Sequence, residues 1–361
     1  MNEEKLKNSL SKAVEPVLKK DYVTLGFLKN ISLNGKKLTV TLGISDLSSE
    51  IVSAAKDHVA NILKKDFPEL HEVNVKFVIG ITQQKSSGKK HTLSGVKNTI
   101  AIASGKGGVG KSTVAVNLAI ALAKAGAKTG LIDADIYGPS IPIMFGVNQK
   151  PGLVQEGDKN KLLPVEKFGV KLMSIGFLLE QETAVVWRGP MASSALKQFM
   201  EDVVWGELDF LLFDMPPGTG DIQLTLSQTI PLTGAIIVTT PQDISLADAR
   251  KGLIMFDRVK VPTMGIIENM SYYVNADGKK DYIFGQGGGM KMSSEYGVKL
   301  LGEIPLTGII RKCGDEGIPV TENMPDDYVS QIFRNIAADT IKEVNLKNVS
   351  SKSESDVIIE I

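Results

Sequence analysis

The sequence predicts an α/β protein, a doubly wound and mainly parallel sheet preceded by a small α+β domain. Three observations carry this. Short apolar runs such as Asn98–Ala103 and Leu208–Asp214 alternate with helical patterns from residue 96 to about residue 345. The first of those runs leads through the glycine-rich Ser104–Thr113 into the apolar Val114–Ala123, so that a strand, a turn and a helix follow in immediate succession. The first 82 residues are patterned differently, with two alternating segments flanking Asn34-Gly35, the strongest short-range hairpin signal.

Composition narrows the class. With 361 residues, 43% hydrophobic and 23% charged, the chain has the length for two domains and the balance of an ordinary globular protein. Lys plus Arg (41) equals Asp plus Glu (41), so no global charge points to nucleic acid or to an anionic membrane as partner. The N-terminus lacks an apolar signal core and no apolar run has the length of a membrane span, which predicts a cytoplasmic protein. Cys313 is the single cysteine, and His58, His71 and His91 all precede the glycine-rich stretch. An intrachain disulfide and an all-cysteine metal site within one chain are thereby excluded.

Taken in order, residues 3–20 place Leu6, Leu10, Val14 and Leu18 at helical spacing, with Pro16 a point where that helix kinks or ends. Val23–Leu33 and Lys37–Ile44 form the predicted hairpin, Glu50–Lys65 an amphipathic helix and Val73–Ile79 an alternating strand. The result is an α-β-β-α-β domain over residues 1–82. Residues 83–95 are polar, glycine-containing and aperiodic, and read as a linker. The second domain spans 96–345, and the tail 346–361 reads as disordered, with strand addition to another surface as the alternative.

Within the second domain, Gly105-Lys106-Gly107-Gly108-Val109-Gly110-Lys111-Ser112 satisfies G-x-x-x-x-G-K-[ST] between a strand and a helix, the context this phosphate-binding motif requires. Glycines let backbone N–H groups converge on an anion. Gly105, Gly107, Gly108, Val109, Gly110, Lys111, Ser112 and Thr113 are therefore the candidate phosphate-binding residues. Lys111 is expected to reach the β- and γ-phosphates of ATP, and the Ser112 hydroxyl to take Mg²⁺. Lys106 is a second lysine that phosphate binding alone does not need.

Two more apolar runs end in acids. Lys128–Asp133 continues to Asp135, and Leu208–Asp214 continues into Met215-Pro-Pro-Gly-Thr-Gly-Asp221. Parallel sheets gather ligand chemistry at the carboxyl ends of their strands, and apolar residues running into Asp214 are the pattern of an acid that orients Mg²⁺. A strand-end or capping role is the alternative for each of these aspartates. Strands at Gly234–Thr240, Thr263–Asn269 and Lys299–Pro305, with a helix at Ser245–Val259, continue the alternation, and a last amphipathic helix covers about 325–344. Asn269 is either a hydrogen-bonding partner for an adenine edge or a turn residue.

These motifs, together with Asp133-Ala-Asp-Ile-Tyr-Gly-Pro-Ser140, Trp187-Arg-Gly-Pro-Met191 and Asn269-Met-Ser271, resemble the Mrp/ApbC proteins, iron–sulfur cluster carrier ATPases of the MinD/ParA-like class. Through its element order and Val23-Thr-Leu-Gly-Phe-Leu28, the N-terminal domain is similar to the small iron–sulfur-assembly domain that many of them carry. The resemblance implies a homodimer that binds and slowly hydrolyses MgATP in iron–sulfur cluster assembly, or in cluster transfer to client apoproteins. It implies Ser112 on Mg²⁺, Asp133 and Asp214 supporting the magnesium shell, and Asp135 positioning the attacking water. It also implies Asn269 and Pro305 bordering adenine, and Lys106 reaching across the dimer to the partner's nucleotide.

The chain departs from that pattern at its cysteines, and the small domain's Ser45–Glu50, after its second strand, also lacks the cysteine characteristic of that domain. Where Mrp proteins usually carry Cys-x-x-Cys after Asn-Met-Ser, the chain reads Tyr272-Tyr-Val-Asn-Ala-Asp-Gly-Lys-Lys280. Cys313, paired across a two-fold axis, is the remaining candidate cluster ligand, and hard asparagine or aspartate oxygens do not replace thiolates on a cluster. A nucleotide-gated adaptor that holds no cluster therefore stays open beside the carrier. A MinD/ParA-like positioning ATPase is disfavoured, because no basic amphipathic C-terminal helix and no strongly basic stretch is present.

Overall fold

In the computed structural model the described residues are 3–84, 93–135, 138–157, 159–177 and 189–354, without the side chains of 189, 190, 192 and 351–354. The motif residues Ile136, Tyr137, Trp187 and Arg188, His91 and most of the expected linker, and the end of the tail lie outside them. The chain divides into two compact units, residues 1–85 with 341–361, and residues 86–340.

The first unit holds α1 (Glu3–Leu10), β1 (Leu28–Asn34), β2 (Lys37–Ile44), α2 (Ser49–Asp66) and β3 (Glu72–Ile79). β1 and β2 pair antiparallel and β3 joins β2 in parallel, giving the order β1-β2-β3. Gly35 turns the hairpin at φ +61°, in the left-handed region. The first helix is shorter than its apolar spacing predicts. Pro16 has no N–H to donate, and the buried Glu15 carboxylate instead accepts from the N–H groups of Val17, Leu18 and Ser45, which fixes a turn where a helix would have continued.

The second unit comprises β4 (Val96–Ala103), α3 (Lys111–Lys124), β5 (Thr129–Asp133), α4 (Ile141–Met144), β6 (Gly152–Glu156), β7 (Lys159–Leu163), β8 (Val165–Lys167), β9 (Val170–Ser174) and α5 (Gly189–Glu201). It continues with β10 (Leu208–Asp214), α6 (Asp221–Thr229), β11 (Gly234–Thr239), α7 (Asp243–Arg258), β12 (Thr263–Glu268), β13 (Tyr273–Val274), β14 (Lys280–Asp281) and α8 (Gly288–Tyr296). Last come β15 (Leu300–Glu303), α9 (Gly308–Asp315), α10 (Val320–Asn323) and α11 (Tyr328–Glu354), the last of which runs on into the residues of the first unit.

Eight strands form one sheet in the order β15-β12-β11-β4-β10-β5-β9-β8, parallel except for the edge strand β8. This is the doubly wound sheet the alternation predicts. Its central strand β4 is apolar because helices cover both faces, and Ile100, Ala101 and Ile102 are fully buried. Helix α3 is buried on nearly every side, which explains why it is apolar all round. Its one interior polar residue, Asn117, accepts from the Thr321 N–H and hydroxyl.

The expected disordered tail is corrected over residues 346–354, which are the last turns of α11. Leu346 and Val349 join the first unit's apolar core. Asn345 accepts from the Thr82 N–H and hydroxyl and donates to the Gly80 carbonyl, while Asn348 donates to the Thr82 carbonyl. Positions 345, 348 and 349 share one helical face, so tertiary contacts carry the helix through a stretch whose composition looks like a solvated tail. Among the described residues no helix is long and apolar enough to cross a membrane.

Candidate nucleotide site

The glycine-rich loop joins β4 to α3, and its glycines serve different purposes. Gly108 and Gly110 both sit at φ +80°, a conformation that a side chain disfavours and that turns the loop in front of α3. A Cβ on Gly110 would also lie 2.3 Å from Asn269 Nδ2. Gly105, expected to contact phosphate, lies elsewhere: a Cβ there would sit 2.2 Å from the backbone carbon of Asp248, so this glycine admits helix α7, and it does not line the phosphate cavity.

Two adjoining cavities open beside the loop. The first, about 240 Å³, is lined by Lys106 to Thr113 together with Asp135, Ser140 and Pro217. The second, about 330 Å³, is walled by Ile143, Met144, Met270, Pro305, Leu306 and Ile310, with Asn269 and Arg311 among its polar residues. Gly110, Thr113, Ser140 and Met144 belong to both. A polar, amide-rich compartment continuous with an apolar one matches the two ends of a nucleotide.

Beneath the first cavity, three strand ends bring the acids together. Asp214 is in register with Asp133 on β5 and with Ile102 on β4. Lys111 Nζ lies 2.5 Å from Asp214 Oδ1, 3.3 Å from Ser112 Oγ and 3.9 Å from Asp135 Oδ2. Lys111 is 6% exposed and Asp214 fully buried, and Asp214 Oδ2 makes no hydrogen bond. That orphaned carboxylate oxygen and the Ser112 hydroxyl, on two residues that both approach the Lys111 ammonium, are hard donors of the kind Mg²⁺ takes.

Asp133, expected to support the magnesium shell, is engaged on both oxygens by donors of the protein itself. Its Oδ1 accepts from the Asp135 N–H, and its Oδ2 accepts from the Ile141 N–H and the Ser174 hydroxyl. Both oxygens therefore brace the segment that carries Asp135. Burial, and then the neighbouring Asp214, hold its carboxyl above the ordinary carboxylate range. Asn269 also takes a part not foreseen, donating from Nδ2 to the Val109 carbonyl at 2.8 Å, so its amide nitrogen supports the loop from the apolar cavity's side.

The chain matches the family described as NUBPL iron-transfer P-loop NTPase, of the ParA group, over residues 95–341. The chain belongs to this family. Among curated relatives it is 45% identical to an iron-sulfur cluster carrier protein of Haemophilus influenzae, over 89% of this chain and 86% of the relative. It is 50% identical to an iron-sulfur protein required for NADH dehydrogenase, mitochondrial, of Arabidopsis thaliana, over 73% of this chain and 84% of the relative. A solved nucleotide-binding protein in complex with ADP from Archaeoglobus fulgidus has a TM-score of 0.55 and 39% identity, covering 63% of this chain and 88% of that one.

The stretch where the resemblance to Mrp proteins implies Cys-x-x-Cys is distinctive in this chain. Residues 273–281 form the hairpin β13–β14, whose tip is organised by the Asn275 carboxamide oxygen accepting from the N–H groups of Asp277 and Lys279. Lys280 Nζ lies 3.8 Å from the centre of the Tyr272 ring. Cys313, proposed from sequence as a ligand across a two-fold axis, is corrected to a packed thiol: it is 2% exposed, and Asn323 Nδ2 donates to its sulfur. Among the described residues no cluster of three or more His, Cys, Asp or Glu side chains is arranged to hold a metal.

Two site residues escaped the sequence reading. Glu268 ends β12 as Asp133 and Asp214 end their strands, and is fully buried; it accepts from the Ser271 hydroxyl and the Gly289 N–H, anchoring the segment that holds Asn269. The acid-ended apolar run Thr263–Glu268 was the available signal. Ser174, the partner of Asp133, had none, because a serine at the end of β9 looks like any strand terminus.

Proposed function

We propose that this P-loop NTPase binds and hydrolyses MgATP as a homodimer in the cytoplasm, and uses that cycle in iron–sulfur cluster assembly or transfer to client apoproteins. A small domain of residues 1–82, completed by the end of α11, accompanies the ATPase domain. The observation that carries the reading is Lys111 held between Asp214, Ser112 and Asp135 at the floor of the phosphate cavity. Membership of an iron-transfer family and the names of its relatives support the cargo.

The geometry of the two cavities supports the following roles, and the family resemblance supports that of Lys106. Backbone N–H groups of Gly107 to Thr113 and the Lys111 ammonium bind the phosphates, and the apolar cavity from Ile143 to Ile310 takes the base. Ser112 and Asp214 would hold Mg²⁺, which when bound neutralises charge on the β- and γ-phosphate oxygens. Lys111 exchanges Asp214 for phosphate as the nucleotide enters. Asp135, oriented by Asp133, holds the attacking water, and Lys106 meets the nucleotide of a second copy. Lys106→Ala is then expected to lose hydrolysis while keeping nucleotide affinity.

One observation favours a second reading, an ATP-gated adaptor that holds no cluster: the single cysteine is buried against Asn323. Anaerobic reconstitution with iron and sulfide separates the two. A stoichiometric cluster that passes to an apo iron–sulfur protein supports the carrier. ATP-dependent binding to that apoprotein without a cluster supports the adaptor, and if neither is observed the iron–sulfur reading falls.

A further inference from the structure

Gln223, in the first turn of α6, has chemistry that the roles above do not use. It is 2% exposed, and both its amide nitrogen and its amide oxygen are shut off from solvent without a hydrogen-bond partner. A buried amide left unsatisfied works against the arrangement that contains it. The residue lines a cavity of about 410 Å³ together with Asp135, Pro217 and Asp221. Asp135 and Pro217 also line the phosphate cavity, so the cavity that Gln223 lines meets it at the residue assigned to the attacking water.

The loop before Gln223 is wired to the phosphate loop. Gly218 N–H donates to the Ser104 carbonyl at 3.0 Å, and Met215 N–H donates to the Ile102 carbonyl at 3.0 Å. Gly218 takes φ +100°, a setting in which the loop can change course without a side chain opposing it. A movement of the phosphate loop at Ser104 would reach the turn before Gln223 through the Gly218 hydrogen bond.

A primary amide can donate to a carboxylate without exchanging a proton, which suits it to orienting a hydrolytic centre. We propose that Gln223 is a positioning residue for ATP hydrolysis, an inference that rests on the ATPase reading: with the 215–221 loop drawn around a γ-phosphate, its amide donates to Asp135 and fixes the carboxylate that holds the water. The water oxygen then bonds to the γ-phosphorus as the bond to the β–γ bridging oxygen breaks. The water's proton passes by way of Asp135 to a phosphate oxygen, and ADP and inorganic phosphate leave. Gln223 neither gains nor loses a proton.

The test compares the full chain with Gln223→Met, which keeps the side chain's length and removes the amide, and with Lys111→Met as the inactive control. The expected result for Gln223→Met is a thermal midpoint equal to or above that of the wild type, ATP affinity and KM within about twofold, and kcat lower by about tenfold or more. Equal kcat in the two proteins overturns the inference and leaves the ATPase reading intact. A lowered midpoint also overturns it, since it means that the amide is supported within the fold, and a Gln223→Leu variant checks that the loss is not one of methionine packing. A wild-type chain with no turnover above Lys111→Met overturns the ATPase reading and this inference together.

Discussion

Lys111 Nζ and Asp214 Oδ1 are 2.5 Å apart in a site where the lysine is 6% exposed and the aspartate fully buried. The P-loop lysine is thus paired with the acid at the end of the neighbouring strand, and each compensates the other's charge. Removing one member of such a pair costs more than the pair itself contributes, because the remaining charge is buried alone. Lys111→Met is expected to lower the unfolding free energy by about 3–5 kcal/mol, and Lys111→Met with Asp214→Asn to recover most of it. Urea unfolding of the three proteins checks this, and additive losses would contradict the pairing.

The two glycines that flank Lys106 should behave differently. Gly105→Ala forces a Cβ to 2.2 Å from the Asp248 backbone, which cannot yield as a flexible side chain would. A loss of about 1–3 kcal/mol or more is expected. At Gly107 a Cβ meets nothing within 4 Å, so Gly107→Ala should leave the melting temperature near that of the wild type and weaken nucleotide binding instead. Melting curves and nucleotide titrations of both variants decide the point.

Asn345 satisfies four buried groups at once: the Thr82 N–H and hydroxyl, the Ser45 hydroxyl and the Gly80 carbonyl. Asn345→Ala leaves several of them unpaired and is expected to cost about 2–4 kcal/mol. Proteolysis of the variant should show residues 1–82 cleaved before the ATPase domain. A variant as stable and as resistant as the wild type would show that the C-terminal turns are dispensable to the first unit.

How far the sequence could be read follows from which interactions are local. The strand–loop–helix around Lys111 and the acid-ended strands at Asp133 and Asp214 are written in consecutive residues, so the sheet and the floor of the site were legible. Contacts between distant segments were not. Nothing near Gly105 in sequence announces Asp248, and nothing near Asn269 announces the Val109 carbonyl it supports. The same holds for the end of α11, where polar residues such as Asn345 and Asn348 face the buried backbone of residues 80–82 instead of water. Cys313 was readable as a type and not as a location, because burial against Asn323 is a property of the folded chain.

In the function proposed above, the Lys111–Asp214–Asp135 constellation drives hydrolysis of MgATP. Release of inorganic phosphate from ATP, measured on the full chain with and without Mg²⁺ and beside a folded Lys111→Met variant, tests it most directly. The account predicts turnover that requires Mg²⁺ and falls by about a hundredfold or more in the variant. Equal phosphate release by the two proteins, or release indifferent to Mg²⁺, would contradict it.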